Sequence, residues 1–322
     1  MFTKRTLSTL ATLGLLFFAG PLAAAPTQPS QANGQGIEIS PPVIELNANP
    51  GQTITTNIRL RNVTSGDLLV KGRADDFGAK GEDGEPEILL DETEATRYSV
   101  KFWIPNVPDL TLKSQEVKTA QIQIKVPANA EPGGHYGVVR FTGLPPDLQG
   151  TGVSLSASIG SLVLLRVSGN ITEKLNTAEF YTSAKGKKHS FFEYGPITLT
   201  ERLKNDGSVH VKPAGYVDIK DIFGKQVAHL PISDPARNVL PGSIRKFDQT
   251  LDKHFLFGRY TAKFSTAYGS GGKLESPTIA FWVIPYKLIA IIIIGLILFI
   301  LALRYGIRRY NRYIISQARR KP

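Results

Sequence analysis

His135 lies in EPGGHYGVVRF, Glu131 to Phe141, where three glycines gather around a histidine and a tyrosine ahead of a run of valines. Residues of these types could cradle a phosphate or carry a proton on a hinge. A phosphate loop needs its glycines to lead into a helix N-terminus, which supplies the amides and the dipole. Here GVVRFTG continues with β-branched and aromatic residues, so the stretch reads as a turn at Pro132 and Gly133 followed by a strand. Tyr136 falls where a tyrosine corner would place a phenol that bonds back to upstream backbone, with His135 pointing away from it. The other histidines, His189, His210, His229 and His254, do not pair at metal-ligand spacing, and no His-Glu-x-x-His or Gly-x-Ser-x-Gly is present. GSGGKL, Gly269 to Leu274, lacks the first glycine of a phosphate loop and the hydroxyl after its lysine. The residues thus predict no enzyme and no cofactor.

One stretch could hold a hard cation. DDFGAKGEDGEPEILLDETE, Asp75 to Glu94, carries nine carboxylates and one base, Lys80. Asp75, Asp76, Glu82, Asp83 and Glu85 on a Gly-rich segment offer oxygen ligands of the kind Ca²⁺ takes. The spacing does not match an EF-hand, and the competing reading, a solvated charged loop, is the favoured one. Trp103 in SVKFWIPNVP is expected in the first core among Val100, Phe102 and Ile104; its alternative is an exposed platform for a sugar ring.

The elements that must carry these residues are short strands. In TITTNIRLRN, Thr53 to Asn62, the residues Ile54, Thr56, Ile58 and Leu60 share one face. AQIQIKVP and RYTAKFST alternate in the same way, which is the signature of half-buried antiparallel strands. IRLRNVTSGDLLVKG (Ile58 to Gly72) resembles ERLKNDGSVHVKPAG (Glu201 to Gly215), and GHYGVVRF at Gly134 resembles GRYTAKFS at Gly258. In the second repeat Gly258 and Tyr260 thus match Gly134 and Tyr136. The pattern predicts an all-β chain of two tandem immunoglobulin-like sandwiches, residues 37–170 and 171–285, after a flexible leader at 26–36.

The two ends bear on location. Residues 1–25 read as a secretory signal, with Lys4 and Arg5 ahead of an apolar core and Ala23 to Ala25 at its exit. Leu288 to Leu303 holds sixteen uncharged residues, so 286–304 is expected to cross the membrane once. Trp282, Tyr286, Lys287, Arg304 and Tyr305 are placed to anchor it at the two interfaces. The net charge of +11 arises largely here: ten of the 38 bases fall in the signal and in residues 286–322, which hold no acid. That distribution argues against a nucleic-acid surface. By the positive-inside rule the basic tail at 305–322 is cytoplasmic and the sandwiches lie outside the cell membrane. The chain has no cysteine, so disulfides and thiol chemistry are excluded.

The order of ISPPVIELNANPGQTITTNIRLRN, FWIP, SQEVKTAQIQIKVPANAEPGGHYGVVRF, GVSLSASIGSLVLLRVSG, VDIKDIFGKQV and NVLPGSIRKF, between a signal and a membrane helix, resembles the WxL-interacting protein family of Gram-positive cell surfaces. The resemblance implies a first domain associated with peptidoglycan and a second that binds partner proteins. It assigns no individual binding residue. The expected function is a membrane-anchored surface protein that binds cell-wall glycan or other surface proteins. The alternative is a membrane-tethered accessory or chaperone-like subunit of an export or surface-assembly machine.

Overall fold

The computed structural model describes residues 36–90, 94–144, 157–233 and 235–318. The signal segment 1–25 and most of the leader lie outside the described residues, as do Asp91, Glu92 and the last four residues of the tail.

Two β-sandwiches follow one another. The first is built from β1 (Ile37–Ser40), β2 (Val43–Ala48), β3 (Thr53–Asn62), β4 (Leu68–Lys80), β5 (Glu85–Leu89), β6 (Leu110–Leu112), β7 (Val117–Lys125), β8 (Gly133–Leu144) and β9 (Ala157–Val167). One sheet runs β1-β3-β7 and the other β2-β9-β8-β4-β5, with β6 beside β4. The second comprises β10 (Leu175–Ala184), β11 (Lys187–Lys188), β12 (Phe191–Phe192), β13 (Ile197–Asn205), β14 (Ala214–Lys220), β15 (Gln226–Pro231), β16 (Ile244–Leu251), β17 (Gly258–Tyr268), β18 (Gly272–Glu275) and β19 (Ile279–Val283). Its sheets run β10-β13-β16, extended by β11, and β12-β19-β17-β14-β15, with β18 beside β17. The main strands of the two domains therefore follow one order, β1-β3-β7 matching β10-β13-β16 and β2-β9-β8-β4-β5 matching β12-β19-β17-β14-β15, while β6, β11 and β18 are particular to one domain, so the repeat read in the sequence is a repeat of fold.

Each domain also changes sheets in the same way. β1 pairs antiparallel with β3, and after Pro41 and Pro42 the chain crosses to run parallel to β9 as β2. Proline has no N–H to give a ladder, so the pair marks a break between two pairings. In the second domain β10 pairs antiparallel with β13, and β12 then runs parallel to β19.

Alternation fills both cores. Ile58, Leu60, Ile122, Ile124, Phe141 and Leu165 are fully buried in the first, and Leu199, Leu203, Phe247, Phe264 and Phe281 in the second. Burial of each such side chain contributes about 1.5–3 kcal/mol. The matching asparagines of the repeat close matching turns. Asn62 gives its amide to the carbonyls of Gly66 and Leu112 at 2.7 and 3.2 Å, and Asn205 gives its own to Val209 and Val239, both at 2.8 Å.

Two residues after β19, the chain enters α1 (Tyr286–Ala318), 33 residues long. Tyr286 to Ile315 is long and apolar enough to cross a membrane. The helix does not end at Arg304. It continues through the basic segment, so at 1.5 Å per residue it reaches about 50 Å, well beyond a hydrocarbon core of ~30 Å. Tyr286 and Tyr305 lie about 29 Å apart along it, the span expected of a pair at opposite interfaces.

Candidate functional site

Strand alternation splits the opening motif. On β8, Val139 and Phe141 face the first core, and His135 faces the same way. His135 is buried, packs against Trp103 with ring centres 4.3 Å apart and planes tilted by 46°, and bonds the Glu131 carbonyl through Nε2 at 2.9 Å. Burial holds its pKa below the usual imidazole value. Trp103 packs against the first core.

Tyr136 takes the opposite face, the outer side of the larger sheet. An isolated sandwich would wet that face. Here Phe77, Tyr136 and Leu164 are buried, with Tyr98, Leu162 and Leu240 packed on them. Leu240 comes from the second domain, so this small apolar cluster is an interdomain core. The Tyr136 hydroxyl accepts the His210 main-chain N–H at 2.8 Å and meets His210 Nδ1 at 3.2 Å. It thus bonds the other domain, where the sequence placed it on backbone of its own. Tyr260 behaves as the motif predicts, its hydroxyl bonding the Phe257 carbonyl three residues upstream at 3.2 Å. Gly258 precedes it with φ 108. At the join, Gly134 gives its N–H to the Ser208 carbonyl at 2.8 Å. Gly133 has φ 132, and a Cβ there would stand 2.6 Å from the Ser208 carbonyl oxygen, so only glycine fits. Pro132 packs beside Gly169, where a Cβ would lie 2.5 Å from its ring.

The acidic stretch is part of the same interface. It forms the β4–β5 hairpin, and its carboxylates have separate partners. Asp75 is buried and takes Arg140 Nη2 at 2.8 Å and Arg73 Nε at 3.1 Å. Asp76 accepts the Val100 and Lys101 N–H groups at 3.1 and 2.9 Å and the Ser99 hydroxyl. Glu82 takes both nitrogens of the Arg202 fork, with Nε at 2.7 Å, and its carbonyl accepts the Lys246 N–H at 2.7 Å. The bonds from Arg202 hold the Glu82 carboxyl below its usual pKa. Asp83 pairs with Lys246 at 3.3 Å, and Glu85 is exposed at the rim. The five candidates therefore do not converge, and among the described residues no three acids, histidines or cysteines come together as metal ligands. Glu82 and Asp83 clamp the second domain, while Asp75 and Asp76 hold groups within the first. Sequence reading missed this because Arg202 lies 120 residues from Glu82.

The interface leaves a cleft. A cavity of about 390 Å³ is floored by Val43, Leu162, Leu164, Leu240 and Ile244. Glu45, Lys212, Arg237 and Arg245 stand around it. Glu45 is held by Lys212 Nζ at 2.7 Å and Asn238 Nδ2 at 3.0 Å. Arg245 packs over Gly84 and gives Nη1 to the Asn238 carbonyl at 2.6 Å, while its Nε is buried with no partner. Burial and the neighbouring Arg237 lower its pKa. Among the described residues neither arginine meets a carboxylate. A second hollow of about 540 Å³, sharing Phe77, Leu240 and Ile244 as its wall, opens on the side of Tyr98 and Tyr136. Among the described residues β2 pairs with β9 only from Leu162 onward, so Ala157 to Ser161 are laddered to β8 alone. Such a site can take an extended apolar segment together with a carboxylate or carbonyl for the arginines.

The anchoring residues sit at the junction with α1. Trp282 is on β19, opposite Arg259 and Phe191. The Tyr286 ring lies 6.3 Å from that of Phe191, and Lys287 pairs with Glu193 at 2.7 Å. Arg304 and Tyr305 are exposed on the helix.

No protein-family model and no curated protein matches the chain. Among solved structures it is similar to the YadV chaperone, with 16% identity over 76% of this chain and 99% of that one, at a TM-score of 0.36. The E. coli chaperone DraB gives 14% identity, 77% and 96% coverage and a TM-score of 0.34. The CsuC–CsuE chaperone–tip adhesion subunit complex of Acinetobacter baumannii gives 18%, 74% and 97%, and 0.34. Scores this low leave function to be read from the site itself.

Proposed function

We propose that this protein is a membrane-tethered accessory subunit of chaperone-like type, without catalysis of its own, that holds an extended segment of a partner protein in the cleft between its sandwiches. The observation that carries the reading is the cleft: an apolar floor from both domains beside two guanidinium groups, one with a buried and unpartnered Nε. A partner side chain would fill the floor, its carboxylate or carbonyl would satisfy Arg245, and the part of β9 that β2 does not pair could extend the contact by strand addition. The helix α1 would keep the complex at the membrane, with the sandwiches outside and the basic tail inside. The wall-glycan reading loses support from Trp103, which is occupied by His135 and the first core.

The test is photo-crosslinking from Val43, at the exposed edge of the floor, with the full chain in its own membrane. A discrete protein adduct, lost on Arg237→Glu and absent when the crosslinker is moved to Ser270, is the expected result. Equal labelling from both positions would remove the cleft from consideration. Sedimentation with cell-wall sacculi that Arg237→Glu leaves unchanged would restore the glycan reading.

A further inference from the structure

The end of the second sandwich next to α1 carries a set of exposed aromatic side chains that the cleft does not use. β17 starts at Gly258, paired with Val283 at the end of β19, so the preceding loop at 252–257 lies beside the start of the helix. β14 ends at Lys220, paired with Thr261, which brings the 221–225 turn to the same end. These two loops present Phe223 at 91% exposure, Phe255 at 94% and Phe257 at 71%, with Ile222 at 63%. Exposed phenylalanines grouped on one end of a domain need a partner, because each leaves a large apolar surface in water.

The display is built. Asp221 Oδ1 accepts the N–H groups of Phe223 and Lys225, each at 2.9 Å, which holds the turn with the phenylalanine at its tip. Near the helix a hollow of about 440 Å³ is lined by Tyr194, Phe255, Leu256, Phe257, Pro285 and Leu288. Leu288 belongs to the first turn of α1, so loop and helix form one continuous apolar surface. Exposed lysines lie at the same end: Lys185 on the β10–β11 turn, Lys187 at the start of β11, Lys225, and Lys253. The opposite end of this domain is occupied, since the loop carrying Ser208 and His210 packs on the first sandwich.

We propose that this end of the second sandwich is seated in the interfacial layer of the bilayer that α1 enters, with Phe223, Phe255 and Phe257 at the boundary of headgroups and acyl chains and the lysines on anionic headgroups. Two features choose lipid over a protein partner. Only Ile284 and Pro285 separate β19 from α1, so these loops cannot stand far from the surface the helix crosses. Aromatic rings with lysines at the same end match the chemistry of that layer. The inference rests on α1 spanning the membrane. It adds that the sandwich is held by the surface as well as by its tether, which would fix the direction in which the cleft opens.

The chain has no cysteine, so single labels are clean. Full-length chains carrying Phe223→Cys, Phe255→Cys, Leu298→Cys or Ser65→Cys would each bear a nitroxide and be placed in nanodiscs of phosphatidylcholine with phosphatidylglycerol. Accessibility to oxygen and to a water-soluble nickel chelate reads immersion. The expected result is loss of nickel access at 223 and 255, shallower than at 298, with Ser65 fully accessible and immersion reduced when phosphatidylglycerol is omitted. Nickel access at 223 and 255 equal to that at Ser65, with 298 still protected, overturns the proposal and leaves the face to a protein partner. Nickel access at 298 shows instead that α1 is outside the bilayer, and the inference falls with it.

Discussion

The hydroxyl of Tyr136 in the first sandwich accepts the main-chain N–H of His210 in the second at 2.8 Å, inside an apolar cluster drawn from both domains. This bond ties the domains at the point from which the cleft opens. Burial raises the Tyr136 pKa, so the phenol stays neutral. Tyr136→Phe leaves a buried N–H unmet and should cost about 1–3 kcal/mol. Thermal melts of the full chain would show it, with the domains uncoupling into two transitions. His135→Ala should also destabilise, because it strips the Trp103 contact, but should leave a single transition. The sequence alone suggested that His135 would be silent; its burial at 3% exposure reverses that expectation.

His210 makes the same join sensitive to acid. Burial above all, opposed by Glu45 and reinforced by Lys212 and Arg166, lowers its pKa to about 4. A histidine depressed in the folded state contributes stability above its unfolded value, near 6.5, and loses it as pH falls toward 4. The full effect amounts to about 3 kcal/mol. Domain docking, followed by small-angle scattering or hydrogen exchange at Gly134, should weaken across that window. His210→Gln should flatten the response; an unchanged slope would assign it to other groups.

The clamp from the acidic hairpin should be weaker and sensitive to salt. Glu82 and Arg202 are about one-third exposed, and Arg202 is shared with Glu179 at 3.0 Å. Glu82→Gln should therefore cost under about 1 kcal/mol, less in high salt. Glu82→Lys should act more strongly, since it sets a cation against Arg202 and Lys246. Faster exchange of the Lys246 amide, which donates to the Glu82 carbonyl at 2.7 Å, is the signature to measure.

What could be read in advance, and what could not, divides by distance along the chain. Strand alternation in TITTNIRLRN is local, as are the apolar run of α1 and the echo of Asn62 in Asn205, and each was legible. The cleft was not, because its floor joins Val43 and Leu162 to Leu240 and Ile244 across two domains. The acidic stretch was legible as charge but not as an interface, since period and composition do not say which strand face meets another domain. Tyr136 shows the limit most directly: its motif predicts a bond to nearby backbone, as Tyr260 makes, and only docking of the second sandwich redirects it.

The repeat also exposes a misfit. Glu201 in ERLKN stands where Ile58 stands in IRLRN, and both side chains are fully buried. Neither carboxylate oxygen of Glu201 has a hydrogen-bond partner on another residue, and only its own main-chain N–H lies near enough to favour the charged form. Burial, with Asp248 nearby, raises its pKa to about 9. The folded protein thus keeps it protonated at neutral pH, whereas the unfolded chain ionises near 4.5. The stability this protonated form allows is fully present below 4.5 and is lost as pH rises toward 9, at about 1.4 kcal/mol per pH unit. At neutral pH the loss is about 3 kcal/mol, enough to matter against a marginal fold. Glu201→Ile, copying the first domain, should raise the melting temperature of the second and remove its decline with pH, whereas Glu201→Gln should remove the pH dependence while retaining an unmet polar group. Melting curves at about pH 5 and about pH 8 test both. A Glu201→Ile chain less stable than the parent at the higher pH would show that the carboxyl has a partner within the core.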